Sequence, residues 1–384
     1  MKKSSSLAIL TVVALLFTAC RPPQEGGSVP TPSPISGDLK PSKQLIVNIH
    51  LPSVPDALAG SIVSAVSRDL VSGAGISLEI ITPYSAADAF MVQNEYAQVN
   101  MFITTPSAAA VAMESGTDLV MIASLQRYAS FQLIGLNSKK VSLASVARGR
   151  ILIQGRPGDE APLLALFDAA GINRGGIELV YQEPALPLNP AELTDGTYAA
   201  MLVNNYDGAA RIQEYIDPAT GGSLGPNATK VIAGIDGDLL AKAAGLGFWV
   251  QRGVLDDNDN RVALAIALIG IADGLAGCRD DANACALSLS DSALLDRYGE
   301  GVLWSVDQLN ATLWPAPDGA FSLNDSELER ALAQAVAVGL IKSSSVQQSM
   351  LDTSVLELVN KNIPASIDLI GDKWVPLEVQ LPLE

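Results

Sequence analysis

The sequence predicts an α/β protein of two doubly wound lobes, with a cleft between the lobes and a helical C-terminal part. Three observations carry that prediction. From Gln44 onward, short β-branched runs alternate with stretches of helical periodicity. A second alternating unit starts near Lys139. Beyond Gly245 a single strand-like run, Phe248-Trp249-Val250, precedes a series of helices. Strand–helix–strand order requires crossover connections, and these build parallel sheets covered on both faces.

The chain opens with Lys2 and Lys3, followed by an apolar run over residues 7–17. A helix of that length is about 16 Å long, roughly half of a bilayer's hydrocarbon core. The segment therefore reads as the apolar region of a signal peptide, residues 1–19, and not as a membrane span. It ends in Leu16-Phe17-Thr18-Ala19-Cys20, which resembles the lipobox of bacterial lipoproteins. Acylation at Cys20, for example with palmitate, would anchor the chain at the outer face of the cell membrane. Residues 20–43 hold six prolines and little apolar content. Such a segment stays extended, and at about 3.1 Å per residue it reaches roughly 70 Å.

The first lobe opens with residues 44–138. Its expected strands are 45–50, 77–82, 99–103, 119–124 and 130–136. Its expected helices are 57–72, 86–93 and 106–114, the last opened by Pro106 and stopped by Gly116. The second lobe, residues 139–240, has expected strands at 150–154, 177–181, 199–203 and 230–233. Helices are expected there at 160–170, 190–195 and 207–215. Residues 241–384 return to the first lobe. They carry expected helices at 258–276, 290–297, 301–313, 326–338, 345–351 and 353–360.

The formal net charge is −17, which argues against nucleic-acid binding and against docking on anionic lipid. Cys278 and Cys285 flank a polar stretch that reads as a surface loop. An exported compartment permits a disulfide between them, the other reading being two thiols. No metal site is expected, because the only histidine is His50 and no cluster of ligands surrounds it.

Three stretches carry a family resemblance. Gly149-Arg150-Ile151-Leu152-Ile153-Gln154-Gly155 with Gly158-Asp159-Glu160 resembles the opening of the second lobe in periplasmic binding proteins for sulfonates, nitrate and thiamine precursors. Ile177-Glu178-Leu179-Val180-Tyr181-Gln182 and Ala199 to Asp207 resemble the branch that binds thiamine-pyrimidine precursors. Gln308 to Pro315 with Gly339-Leu340-Ile341 resembles the C-terminal helices of that branch. The resemblance runs from about residue 44 to 360. It implies a type II-like periplasmic-binding-protein fold and the solute-binding component of an ABC importer, monomeric, cofactor-free, with a membrane permease as partner. It also implies a small heterocyclic ligand: riboflavin by preference, with a formylaminopyrimidine as the alternative. A sensory binding module would share fold and ligand. The branch's enzyme-like members carry a Cys-rich motif and histidines, which this chain lacks.

Ligands of open α/β sheets bind beyond the C-terminal strand ends. That rule selects His50 and Ser53 after the first strand, Thr104 and Thr105 after the third, and Tyr128 after the fourth. On the second lobe it selects the loops 155–160 and 204–207, and within them Gly155, Asp159 and Glu160, then Asn205, Tyr206 and Asp207. Trp249 joins them because it lies near the inferred return crossover. Each has a structural alternative. His50 is a polar strand end, Thr105 a helix cap, and Asp159 and Glu160 complements to a helix dipole. Asp207 is a cap, and Trp249 a core residue. As ligand contacts, Tyr206 would stack on a ring while Asn205 and Asp207 read its hydrogen-bonding edge.

Overall fold

In the computed structural model, residues 39–383 are described, except 68–70, 83–89, 91, 93–95, 235–238, 241, 293–294, 296–298 and 344–349. Cys20, the signal peptide and most of the helices expected at 86–93 and 345–351 lie outside the described residues.

Two five-stranded sheets organise the chain. The first holds β1 (Leu45–His50), β2 (Ile76–Ile81), β3 (Gln98–Thr104), β4 (Leu119–Ser124) and β10 (Gly247–Gln251), in the order β2-β1-β3-β10-β4. The second holds β5 (Phe131–Leu136), β6 (Arg150–Ile153), β7 (Glu178–Tyr181), β8 (Ala200–Asn204) and β9 (Thr229–Ala233), in the order β7-β6-β8-β5-β9. Both sheets are mixed, which corrects the expectation of parallel ones. β10 runs antiparallel to β3 and β4, and β5 runs antiparallel to β8 and β9. The cause is the exchange between lobes. β5 follows directly on the first crossover and β10 on the second, with no helix among the described residues delivering either. β5 pairs in the second sheet although its residues precede Lys139. A buried strand reads as an apolar run in whichever sheet it lies.

Helices cover the sheets. On the first lobe, a 3-10 turn (Ala57–Ala59) leads into α1 (Gly60–Ser67), and α2 (Pro106–Glu114) follows β3. On the second, α4 (Ala161–Ala169) and α6 (Asp207–Glu214) follow β6 and β8, with short helices α3 (Leu143–Val146), α5 (Ala191–Thr194) and α7 (Gly225–Ala228). The first lobe's core is built around α8 (Asn258–Asp280). This 23-residue helix is long and apolar enough to cross a membrane by length and composition, yet it is buried against α1 and the first sheet. A helix apolar on all sides belongs in a core. Its approach to α1 is so close that a Cβ on Gly274 would lie 1.8 Å from the Ser61 carbonyl oxygen.

Cys278 in α8 is bonded to Cys285 in α9 (Ala282–Asp291). Both are buried, while Asp280, Asp281, Asn283 and Ala284 between them are exposed, so the stretch lies at the surface as expected but is a helix–helix corner and not a loop. Asp281 makes the corner by accepting the Ala284 N–H. The remaining helices are α10 (Glu300–Leu313), α11 (Asp325–Ala337) and α12 (Ser354–Asn362). α10 packs on α9 and α12 on α8, as a return to the first lobe requires. α11 differs: it packs on α2 of the first lobe and on α4 of the second.

Candidate ligand-binding cleft

The chain crosses between the sheets twice, from β4 to β5 and from β9 to β10. The two crossovers lie side by side as an antiparallel ribbon. Leu125 and Gln126 donate their N–H groups to the Leu246 carbonyl at 2.8 and 2.9 Å, and Ala129 donates to Ala243 at 2.8 Å. A Cβ on Gly245 would lie 2.2 Å from the Gln126 carbonyl oxygen, so only glycine allows this approach. Two adjoining extended segments of this kind make a hinge, absorbing rotation in a few backbone dihedrals.

Beyond the hinge lies a cavity of about 30 Å³, walled by both lobes. The first lobe contributes Ser53, Asp56 and Thr105, and the second Gln154, Asp159 and Asn204. Tyr206 and Phe131 add aromatic wall. Asp56 accepts the Leu58 N–H at 2.8 Å as the cap of the turn before α1. Thr105 caps α2 by accepting the Ala108 N–H, and its hydroxyl donates across the cleft to Asp159 at 2.5 Å. Asp159 also accepts the Arg156 backbone N–H at 2.7 Å. Asn204 caps α6, its side-chain oxygen accepting from Asp207 and Gly208 at 2.7 and 2.8 Å. Its amide nitrogen donates across the cleft to Asp56 at 3.4 Å. A third interlobe bond runs from the Arg156 guanidinium to the Leu51 carbonyl at 2.8 Å. Burial raises the Asp159 carboxyl above its ordinary range, a shift the Thr105 and Arg156 bonds oppose. Burial also lowers Arg156 to about 10, and the Asp159 charge works against that fall. The guanidinium lies over the Phe90 ring at 4.6 Å, a cation–π contact that partly replaces lost water.

Two mixed sheets, each under helices, joined by a paired crossover and facing each other across a polar cavity, make a known arrangement. The chain has the fold of the periplasmic binding proteins. The ligand-binding component of an ABC-type import system from Staphylococcus aureus, determined with zinc bound, superposes with a TM-score of 0.59 at 14% identity, covering 82% of this chain and 98% of that one. The alkanesulfonate-binding protein SsuA from Xanthomonas axonopodis pv. citri, bound to MOPS, gives a TM-score of 0.59 at 13% identity, with 82% and 99% covered. The desulfurization enzyme DSZB gives 0.51 at 12% identity, with 83% and 99% covered. At these identities the likeness is one of fold. No family model matches the sequence, and no curated protein does.

Against this binding-protein fold, the residues singled out by sequence divide. Ser53, Thr105, Gly155, Asp159 and Tyr206 line the cavity. The others have different surroundings. His50 is buried on β1, hydrogen-bonded to Asn100 at 2.8 Å with its ring 4.7 Å from that of Phe102. Thr104 is buried at the end of β3, and its carbonyl accepts the Trp249 indole N–H at 3.1 Å. Trp249 is therefore a core residue of β10. Glu160 accepts from the Tyr181 hydroxyl at 2.6 Å and from the Gly158 N–H at 2.7 Å. Asp207 is ion-paired with Arg211 at 2.6 Å, and the cap of α6 is Asn204 rather than Asp207. Asn205 lies outside the cavity lining, its N–H bonded to the Ser130 carbonyl.

Tyr128 lies elsewhere. It is half-exposed, 5.3 Å from the Arg127 guanidinium, in a hollow of about 650 Å³ walled by the connection from α10 to α11. That hollow is larger than the cleft cavity, but the second lobe contributes nothing to its lining. Reading only the loops after strands missed Asp56 and Gln154, and within 204–207 it singled out the three residues after Asn204. The sequence signals for them were a cap position before Ala57 and polar residues closing two apolar strands.

Proposed function

We propose that the protein is the solute-binding lipoprotein of an ABC-type importer, held at the extracytoplasmic face of the membrane through Cys20 and handing its solute to a permease. The observation that carries this reading is the polar cavity walled by both lobes directly beside a paired-crossover hinge. Lobes that part about such a hinge admit a solute, and closure buries it and marks the loaded form for a partner. Binding is favoured over catalysis because the cavity lining holds neither histidine nor cysteine, and His50 is engaged within the first sheet.

The solute in this reading is a small heterocyclic vitamin or precursor. Two carboxylates and three amides on a small cavity favour a compact ring rich in N–H groups, which makes a formylaminopyrimidine the first choice. Riboflavin is the second, supported by the aromatic wall of Tyr206 and Phe131.

The test is calorimetric titration of the detergent-solubilised full-length protein with each compound. Binding of one, with release on Asp159→Asn, is the expected result. No binding of either would remove the ligand assignment. Separately, Cys20→Ala should shift the protein from the membrane fraction to the soluble one; unchanged membrane association would remove the anchor.

A further inference from the structure

The cavity's two carboxylates are answered across the cleft by donors from the opposite lobe. Asp159 of the second lobe takes the Thr105 hydroxyl, and Asp56 of the first lobe takes the Asn204 amide. All four residues line the cavity. Its 30 Å³ is room for about two waters, so a solute enters only as the lobes part. Parting separates both pairs.

Neither donor is free to follow its acceptor. Thr105 is held by the Ala108 N–H at the start of α2, and Asn204 by two N–H groups at the start of α6. The carboxylates are equally fixed, Asp56 by Leu58 and Asp159 by Arg156. Parting therefore leaves one oxygen of each carboxylate without its interlobe donor. Reclosing without a replacement for that interlobe bond is costly, because burial removes the water that would make it. A solute that lets the lobes close again must bring donors to both.

We infer that Thr105 and Asn204 occupy the positions that two N–H groups of the solute take, so the site selects small neutral or cationic molecules with two separated N–H donors. This rests on the reading of the cleft as a solute site. Among the described residues the cation beside Asp159 is Arg156, which bonds Leu51 and stacks on Phe90. An anionic solute would meet Asp56 and Asp159 and satisfy neither.

The probes are 2,4-diaminopyrimidine and its tetramethylated form, 2,4-bis(dimethylamino)pyrimidine, which has no N–H. Both are titrated into the full-length protein in detergent. The diamine should bind at least roughly tenfold more tightly, since each hydrogen bond to a charged group is worth about a factor of ten. Asp159→Asn should shrink that ratio. Hydrogen exchange supplies a ligand-free arm. Asn204→Asp keeps the cap oxygen and sets a carboxylate against Asp56, so exchange should rise in residues 51–58 and 105–109. Thr105→Ser keeps both of its bonds and should leave exchange unchanged. Equal binding of the two probes, binding of neither, or unchanged exchange in Asn204→Asp would overturn the inference. Riboflavin binding alongside failure of both probes would leave the transport reading standing and remove this one.

Discussion

Two seams in this molecule depend on glycine, and they differ in what surrounds the close approach. Between α1 and α8, Gly274 faces the Ser61 carbonyl in a seam that is mostly apolar and buried, with Ile62, Ala65, Ile271 and Leu275 around Ser61 and Asp273. Between the lobes, Gly158 faces α2, where a Cβ would lie 2.5 Å from the Ala108 Cα. There the neighbours are Thr105, Asp159 and Glu160, buried but polar. Separating an apolar seam exposes surface at about 25 cal/mol per Å², with nothing returned. Separating a polar seam exchanges protein hydrogen bonds for water bonds at a net cost of only about 1 kcal/mol each. The first seam holds a lobe together, while the second is the one that opens and closes in the proposed function.

The comparison breaks most visibly at Gly274. Gly274→Val should destabilise the protein by about 3 kcal/mol, the upper end of the usual overpacking cost. The urea midpoint would fall accordingly. A midpoint within error of the parent would mean that α1 and α8 slide freely and that the seam is not rigid. The disulfide tests the same lobe. It closes a short loop, with a sequence separation of 7. In the chain-entropy model, Cys278→Ser with Cys285→Ser should cost about 2.5 kcal/mol. Thiol reagents should fail to label either position in the native protein, and ready labelling would remove the bond from the account.

Gly158→Ala probes the other seam. Its φ of 109° and its contact with α2 both oppose a side chain. Solute binding should weaken by roughly tenfold, the effect of about 1.4 kcal/mol against closure. Unfolding of the first lobe, followed by exchange of α8 amides, should stay near the parent value. Loss of α8 protection in this variant would show that the two seams are not separable.

Much of the fold was legible because it rests on periodicity. β1, β3 and β4, together with α2 and α8, follow runs whose apolar spacing admits one reading. Sheet membership was less legible. β5 and β10 are apolar runs like the others, and only the crossover geometry decides which sheet they join and in which direction. The site was half legible for a related reason. The strand-end rule found Ser53, Thr105, Asp159 and Tyr206, which occupy loops and helix starts. It missed Gln154 because that residue reads as the last position of the apolar strand expected at 150–154. It included His50 and Trp249 because a polar or aromatic residue near a strand end looks the same whether it meets a ligand or a neighbouring strand. The sequence also gave no sign of α11 touching both lobes, since an amphipathic helix shows which face is buried and not against what.

His50 offers the smallest effect and the sharpest division between the seams. It belongs to the first lobe's interior, with Asn100 accepting from its ring and Phe102 beside it. Burial lowers its pKa below the ordinary 6.5, and the Arg156 charge acts in the same direction, while the Asn100 bond opposes them. The folded protein therefore keeps this imidazole neutral where the unfolded chain would protonate it. The stability due to the neutral ring is fully present above about pH 6.5 and declines as the pH falls toward the lower folded value. Other acids titrate in the same experiment, so the measurement must be a difference. His50→Gln retains an amide able to donate to Asn100 and removes the titration. The parent's advantage in urea midpoint over this variant should be smaller at about pH 5.5 than at about pH 7.5. Solute affinity of parent and variant should change in parallel between the same conditions, because the ring lines no part of the cavity. An advantage that grows on acidification would mean that the folded protein favours the charged ring. His50 would then belong with the acids of the cleft, and the boundary between the rigid lobe and the movable seam would have to be redrawn through β1.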